Sequence, residues 1–244
     1  RGKAAGASGW TYDFLRLVLQ DNNALHFLLN FLNSMLRGFP SLTEHERSEA
    51  RLILGCANLV GLLKDPPRPD GKILAVRPLA VGDILRRLAA KAVLHMATEE
   101  VERIFCDIQV GVGMAEGGGA LIRALDIAKQ SCEEEIDTDD PRIVEMTNEG
   151  WDSDTLDEWR RPSGSVVTLD GTNAYNLLSR FSMLCGTRDL LPNLFAFIRF
   201  FYGSYDTPLP LYFHIEGGKL QVIESWKGVQ QGDGAGPICF AAGI

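Results

Sequence analysis

The chain has 244 residues, and its apolar fraction of 45% lies in the globular range, enough to bury a sizeable core in one large domain or two small ones. No apolar run reaches the roughly 18 uncharged residues of a membrane span, and no charged start precedes an apolar segment, so no membrane association or secretory signal is indicated. The five cysteines stand apart without a CxxC pair, which disfavours a disulfide framework or zinc site and favours a reducing, intracellular compartment.

The net charge of −8 argues at first against a nucleic-acid partner, but its distribution removes the objection. Residues 131–160 hold twelve acidic and two basic residues, while the remainder holds 22 basic and 20 acidic ones. One acidic segment therefore masks a slightly basic body. We interpret residues 130–164 as an acidic insert or linker, peripheral and pointing away from any nucleic acid.

Apolar residues at helical spacing predict helices over residues 10–19, 22–36 and 41–57. The third begins with Ser41 and Glu44 three positions later, which is typical of a capping box. Residues 58–63 form a short apolar run without helical period, followed by a turn rich in Pro and Gly and a second run at 72–76. This pattern predicts a hairpin at about 58–77, carrying the basic residues Lys64, Lys72 and Arg77. A merely solvated basic hairpin is the alternative.

Residues 81–105, 120–129, 174–184 and 190–202 carry further helical patterns. The glycine-dense residues 109–119 lack the lysine of a phosphate-binding loop, so we interpret them as a loop that enters a helix. Residues 209–215 and 219–225 alternate around a Gly-Gly turn and predict a second hairpin.

A short apolar strand at 166–169 places the carboxylate of Asp170 immediately before Gly171, whose backbone carbonyl is not covered by a side chain. Oxygen atoms of this kind suit Mg²⁺, which usually takes one or two carboxylates together with substrate phosphates. The alternative from this stretch alone is that Asp170 only caps the following helix, because Asp is a favoured N-cap residue.

Three stretches in this order resemble the reverse transcriptase domain of non-LTR (LINE-like) retroelements. The segment LLKDPPRPDGKILAVRPLAVGDILRRLAAK at 62–91 is similar to the basic fingers hairpin and the helix after it. The segment LDGTNAYN at 169–176 is similar to motif A, and GVQQGDGAGPICF at 228–240 to motif B. The resemblance covers most of the chain apart from the acidic insert.

The resemblance implies that Asp170 is the catalytic metal ligand of motif A, with the Gly171 carbonyl beside it, and that Mg²⁺, or alternatively Mn²⁺, is the cofactor. In such two-metal sites the ions clamp the attacking and leaving oxygens of the phosphoryl group.

It also implies a set of nucleotide-binding residues. Tyr175 would be the steric gate whose ring excludes a 2′-hydroxyl from the sugar of the incoming nucleotide. Lys64 and Arg77 would hold the triphosphate, and Gln231 and Gly232 would lie against the nucleotide and template. Phosphoryl transfer depends mainly on such positioning and charge neutralisation.

The sequence departs from the family pattern in several places. The aromatic-x-Asp-Asp hairpin of motif C and the thumb are absent, and no Asp-Asp pair follows Gln231. Motif B has Gly234-Ala235 where the family usually has proline and a larger residue. We therefore expect this chain to be a fragment that is inactive alone, because one acid cannot readily hold two divalent ions against their mutual repulsion.

We predict an α+β fold: right-hand polymerase fingers at 1–129, the insert at 130–164, and a partial palm at 165–244 with a split βαβ sheet covered by helices on one face. The predicted function is RNA-directed DNA polymerisation in the full-length protein, with RNA template, DNA primer and dNTPs as ligands and a nuclear or cytoplasmic location. Two alternatives stay open: a catalytically inactive, reverse-transcriptase-derived nucleic-acid-binding or assembly module, and an ordinary α+β protein with chance motifs.

Overall fold

The computed structural model describes residues 5–63, 76–105, 109, 111–112, 117–133, 145, 148, 150, 173–215 and 217–244. The chain divides into two compact units, one formed by Arg1–Gly113 with Thr172–Ile244 and the other by Met114–Gly171. The first unit contains helices and a mixed sheet, which confirms the predicted α+β class. The assignment of fingers, insert and palm stays a prediction.

Three helices open the first unit: α1 Tyr12–Val18, α2 Asn22–Leu36 and α3 Glu44–Gly55. The capping box predicted at Ser41 is wrong by two positions. The Thr43 side chain accepts from the Glu46 backbone N–H at 3.3 Å, and the Glu46 carboxylate accepts from the Thr43 N–H at 2.8 Å. Both positions fit the S/T-x-x-E pattern, and Thr43 has the extended backbone that a capping residue needs.

Strands β1, Ala57–Leu63, and β2, Val76–Gly82, pair antiparallel and confirm a first hairpin. The second strand runs further than predicted, and its predicted beginning at 72–75 lies outside the described residues. Pro78 is accommodated because β2 is an edge strand, where a missing N–H donor is tolerated.

The single helix predicted at 81–105 is in fact two helices, α4 Ile84–Met96 and α5 Thr98–Phe105. The first begins only after the strand ends, because the Asp83 side chain caps it by accepting from the Leu85 N–H at 2.9 Å. In the second unit, α6 spans Gly117–Glu133 and confirms the helix predicted at 120–129. Most of the acidic insert lies outside the described residues.

The helix predicted at 174–184 is also divided. A single turn, α7 Ala174–Leu177, is followed by α8 Arg180–Leu190 and α9 Pro192–Tyr202. The break occurs because Ser179 takes an extended conformation and caps α8, its hydroxyl accepting from the Ser182 N–H at 3.3 Å. Pro192 occupies the first turn of α9, where its missing N–H costs little.

The second hairpin is confirmed as β3 Leu209–His214 and β4 Leu220–Ser225, and α10 Gly236–Gly243 ends the chain. The sheet order is β2-β1-β3-β4, and β1 runs parallel to β3, with Ala57 beside Leu211. Both hairpins therefore belong to one sheet. The strand predicted at 166–169 lies outside the described residues.

The core of the first unit is formed where the helices meet the central strands. Its most deeply buried side chains include Met35, Ile84, Met183, Phe197 and Leu209. Because these residues come from α2, α4, α8, α9 and β3, the N-terminal and C-terminal parts of the chain share one core. Within the described ranges, no helix is long and apolar enough to cross a bilayer.

Candidate functional site

Residues 228–235, here called the glycine loop, connect the second hairpin to α10 and are held on one side by α7. The Gly228 N–H donates to the Leu178 carbonyl, and the Val229 N–H donates to the Tyr175 carbonyl, each at 2.9 Å. Gly228 has φ +61°, and a Cβ there would overlap the Tyr175 carbonyl oxygen. Only glycine therefore permits this close approach of the two backbones.

On its other side the glycine loop is held by β2. The Ala80 N–H donates to the Gln231 carbonyl at 2.7 Å. Gly232 has φ +111°, and a Cβ there would lie 2.5 Å from the Ala80 carbonyl oxygen. The loop thus bridges α7 and β2, with Gln231 half-buried and Gly232 exposed. Arg77 is exposed three residues earlier on the same strand, where it pairs in register with Leu62.

The Tyr175 ring lies beside this loop in a fixed orientation. It stacks on Phe240 of α10, with ring centroids 4.9 Å apart and planes inclined by 14°. A Cβ at Gly236 would lie 3.6 Å from the same ring, so the ring packs against the loop's exit as well. Partial burial raises the pKa of the Tyr175 hydroxyl, which keeps it neutral. An uncharged aromatic ring is therefore held where the glycine loop enters α10.

A buried arginine is hydrogen-bonded to two side chains of the glycine loop. Arg86 of α4 is only 2% exposed. Its Nη2 donates to the carboxylate of Asp233 and, at 2.8 Å, to the Tyr202 hydroxyl. Its Nη1 donates to the Gly55 carbonyl and to Gln230 Oε1, each at 3.0 Å. This set of five residues is called the Arg86 cluster below.

The partners of Arg86 are also bonded to one another. The Tyr202 hydroxyl donates to Asp233 Oδ2 at 2.6 Å and accepts from the Gln230 N–H at 3.2 Å. Gln230 Nε2 donates to the Gly55 carbonyl at 3.0 Å. Two side chains of the glycine loop, Gln230 and Asp233, are therefore part of a connected buried network. Buried polar groups of this kind are stable only when they are paired.

The protonation states of the cluster follow from its surroundings. Burial alone lowers the pKa of the Arg86 guanidinium, but the charge of Asp233 and the hydrogen bonds to Asp233 and Tyr202 outweigh it and raise that pKa. Burial raises the pKa of the Tyr202 hydroxyl, which therefore remains a neutral donor. Arg86 is thus a permanent cation, and the cluster is a neutralised ion pair.

A second buried arginine holds the entrance of the glycine loop. Arg180 Nε donates to the Gly228 carbonyl at 3.0 Å, and its Nη2 donates to the Ser225 carbonyl at 2.8 Å and hydroxyl at 3.0 Å. Burial lowers the pKa of Arg180 to about 10, so the guanidinium is still charged at neutral pH. It fixes the path of the chain from β4 into the loop.

The structure brings together Tyr175, Gln231 and Gly232, and it places Arg77 on the strand to which Gln231 bonds. Lys64, Asp170 and Gly171 lie outside the described residues. Sequence reasoning missed the Arg86 cluster and Arg180. The available signals were an arginine pair within an otherwise apolar helix, Arg86-Arg87, and the acid of the QGD sequence at Asp233.

The described residues contain no group of three or more His, Cys, Asp or Glu side chains that could hold a metal ion. The predicted ligands Asp170 and Gly171 are not among them. The metal site therefore stays a prediction from the sequence.

Comparison with known proteins finds a similarity to a retroelement protein. The chain is similar over its whole length to the retrotransposable element SLACS 132 kDa protein of Trypanosoma brucei gambiense, with 26% identity over 247 residues. The matched region is 17% of that protein's length, so the chain spans a small part of the relative. No protein-family model matches the chain.

Proposed function

We propose that this chain is the nucleotide-selecting part of a retroelement reverse transcriptase, an RNA-directed DNA polymerase that adds dNTPs to a primer 3′-hydroxyl. The similarity to a retrotransposable element protein supports the retroelement part of this proposal. The order of the three sequence motifs supports the polymerase part.

The strongest support for the proposal is the way the glycine loop joins α7 and β2. Tyr175, Gln231 and the strand that bears Arg77 are distant in sequence, yet the glycine loop is hydrogen-bonded to both flanking elements. The Val229 N–H donates to the Tyr175 carbonyl at 2.9 Å, and the Ala80 N–H of the strand donates to the Gln231 carbonyl at 2.7 Å. Tyr175, Gln231 and Arg77 are the residues that the resemblance assigns to the sugar, the base and template, and the triphosphate. A nucleotide needs all three kinds of contact at one place, because phosphoryl transfer depends on alignment more than on covalent chemistry.

The fixed Tyr175 ring accounts for selection of the sugar. Its stacking on Phe240 limits rotation, so the ring would present the same edge to each incoming nucleotide. A 2′-hydroxyl directed at that edge would meet an apolar surface and lose its hydrogen bonds to water. Deoxynucleotides lack this group and would be accepted.

Gly232 is exposed and has no side chain, so a base pair would be able to approach its backbone closely. The preceding residue, Gln231, fixes the loop because its carbonyl accepts a hydrogen bond from β2. Arg77 would contact the triphosphate, and so would Lys64, which follows β1 in the sequence. Cations at this position would offset the negative charge of the phosphates.

The metal would be held by the Asp170 carboxylate and the Gly171 carbonyl, which are oxygen ligands suited to Mg²⁺ or Mn²⁺. When bound, such an ion neutralises charge on the reacting phosphate. The proposed partners are an RNA template, a DNA primer and dNTPs, and the proposed location is intracellular, in the nucleus or the cytoplasm.

Primer extension on an RNA template tests the proposal. We expect no incorporation by the 244-residue chain and template-dependent incorporation by a chain extended through an aromatic-x-Asp-Asp motif. In the extended chain, Asp170→Asn should reduce incorporation by at least about 100-fold, because a misplaced metal misaligns the reacting groups. Asp154→Asn, in the acidic insert, is the matched control and should retain activity.

Two outcomes would contradict this proposal. Full activity in Asp170→Asn would show that the metal site lies elsewhere. An extended chain that binds template and primer but incorporates nothing would instead favour the inactive nucleic-acid-binding module.

A further inference from the structure

A cleft of about 890 Å³ on the first unit, here called the arginine cleft, is lined by residues of α3 and α9 and by the segments that follow α2 and α9. Neither the glycine loop nor Tyr175 contributes a residue to its lining. Its charged lining residues are four arginines and two acids: Arg37, Arg47, Arg51, Arg199, Glu44 and Asp206. With the lining histidine neutral, this leaves a formal surplus of two positive charges.

Arg51 is the buried member of this set. It is 4% exposed, and its Nη2 donates to the Thr207 carbonyl at 2.7 Å. Its Nη1 is buried and has no hydrogen-bond partner within the part of the chain that the structure describes. A buried guanidinium nitrogen without an acceptor is unfavourable, so this position is suited to an oxygen atom supplied by a ligand.

Arg47 also has spare hydrogen-bonding capacity. Its Nη2 donates to the Leu42 carbonyl at 2.9 Å and its Nη1 contacts the Glu44 carboxylate at 3.5 Å. Its Nε is buried and without a hydrogen-bond partner among the described residues. Arg37 and Arg199 are exposed. Two buried donors without acceptors and two exposed cations therefore line the same cavity.

We propose that the arginine cleft binds a phosphate group. Guanidinium groups bind phosphate through paired hydrogen bonds, and the surplus of positive charge matches a bound anion. The phosphate could come from a nucleic-acid backbone or from free inorganic phosphate. The cleft is larger than one phosphate ion needs, so we expect the backbone of single-stranded RNA. This proposal does not depend on polymerisation, because binding requires neither metal nor dNTP.

The test compares two double variants of the 244-residue chain. Arg37→Gln with Arg199→Gln removes the two exposed cleft charges, while Arg16→Gln with Arg103→Gln removes two exposed arginines of α1 and α5 as a control. Arg51 is left unchanged, because its buried bond to Thr207 makes loss of folding a competing explanation. Binding of a fluorescein-labelled single-stranded RNA of about 12 nucleotides is followed by anisotropy over a range of salt concentrations.

We expect the cleft variant to bind RNA about tenfold more weakly than the control variant and to lose about 1.4 from the slope of log affinity against log salt, since each phosphate contact contributes about 0.7. A second measurement follows the thermal unfolding midpoint with inorganic phosphate against chloride at equal ionic strength. If phosphate raises the midpoint of the control variant but not that of the cleft variant, and both variants bind RNA equally well, free phosphate is the ligand. Equal behaviour of the two variants in both measurements overturns the proposal.

Discussion

Arg86 and Arg51 are both almost fully buried, at 2% and 4% exposure, but their surroundings differ in one respect. Arg86 contacts a carboxylate, and both of its terminal nitrogens have acceptors. Arg51 contacts a backbone carbonyl with one terminal nitrogen, and its other terminal nitrogen has no partner among the described residues. The pKa values of the two guanidinium groups consequently shift in opposite directions.

The charge of Asp233 and its hydrogen bond raise the pKa of Arg86 against the effect of burial, whereas burial lowers the pKa of Arg51 and the more distant Asp206 offsets this only in part. Both terminal nitrogens of Arg86 are occupied by acceptors of the fold, and its Nε is buried without a partner among the described residues. Arg51 differs in that one terminal nitrogen, its Nη1, has no acceptor within the described ranges, and the residue lines a cleft. Arg86 therefore supports the glycine loop, whereas Arg51 belongs to the proposed phosphate site.

Removing the acid near each arginine should produce the largest difference in stability between the two regions. Asp233→Ala leaves the Arg86 charge buried without its counter-ion, and we expect the free energy of unfolding to fall by about 3–5 kcal/mol. Asp206→Ala removes an exposed carboxylate near Arg51 and should change stability little. Urea unfolding of both variants, followed by far-UV circular dichroism, measures the difference.

Similar losses in the two variants would mean that Asp206 supports the fold as much as Asp233 does. The distinction between an arginine that contacts a carboxylate and one that does not would then fail. A small loss in Asp233→Ala would show that Tyr202 and Gln230 are sufficient partners for Arg86.

Alkaline pH should lower the stability of the fold through two buried groups near Arg86. Burial raises the pKa of the Cys239 thiol in α10 and of the Tyr202 hydroxyl, so both ionise more readily in the unfolded chain. Groups with a raised pKa contribute their full stability below the unfolded value and lose it as the pH rises towards the folded value. We expect the free energy of unfolding to decrease above about pH 9, by up to about 1.4 kcal/mol per pH unit for each group.

Cys239→Ala isolates one of these contributions. It should make the decrease between about pH 9 and 10 shallower, while leaving the pH dependence below about pH 8 unchanged. The measurement is urea unfolding at a series of pH values. An unchanged slope in this variant would show that the thiol does not ionise on unfolding in this range.

Local patterns in the sequence predicted both hairpins and most helices, because those elements depend on periodicity and turn residues close in the chain. The breaks at Ala97 and at Leu178-Ser179 were missed, because apolar spacing continues through them while local capping decides where each helix ends. The capping box was misplaced for a related reason, since two overlapping four-residue segments fit the same pattern.

The candidate site was predicted only in part. Motif resemblance identified Tyr175, Gln231 and Gly232, which the structure brings together. The support below them was not predictable, because Arg86 and Asp233 are 147 positions apart and their pairing depends on tertiary packing. The arginine cleft was missed for the same reason, since Arg47 and Arg51 of α3 meet Arg37 and Arg199 from two other segments only in the folded unit.

We propose that the Tyr175 ring beside the glycine loop selects the sugar of the incoming nucleotide. Its most direct test is the ratio of ribonucleotide to deoxynucleotide incorporation by the extended chain on an RNA template. Tyr175→Phe keeps the ring and its stacking on Phe240, and should keep rejection of ribonucleotides. Tyr175→Ala removes the ring and should relax that rejection by at least about tenfold while some polymerisation remains. Equal discrimination in Tyr175→Ala and the unchanged chain would contradict the claim.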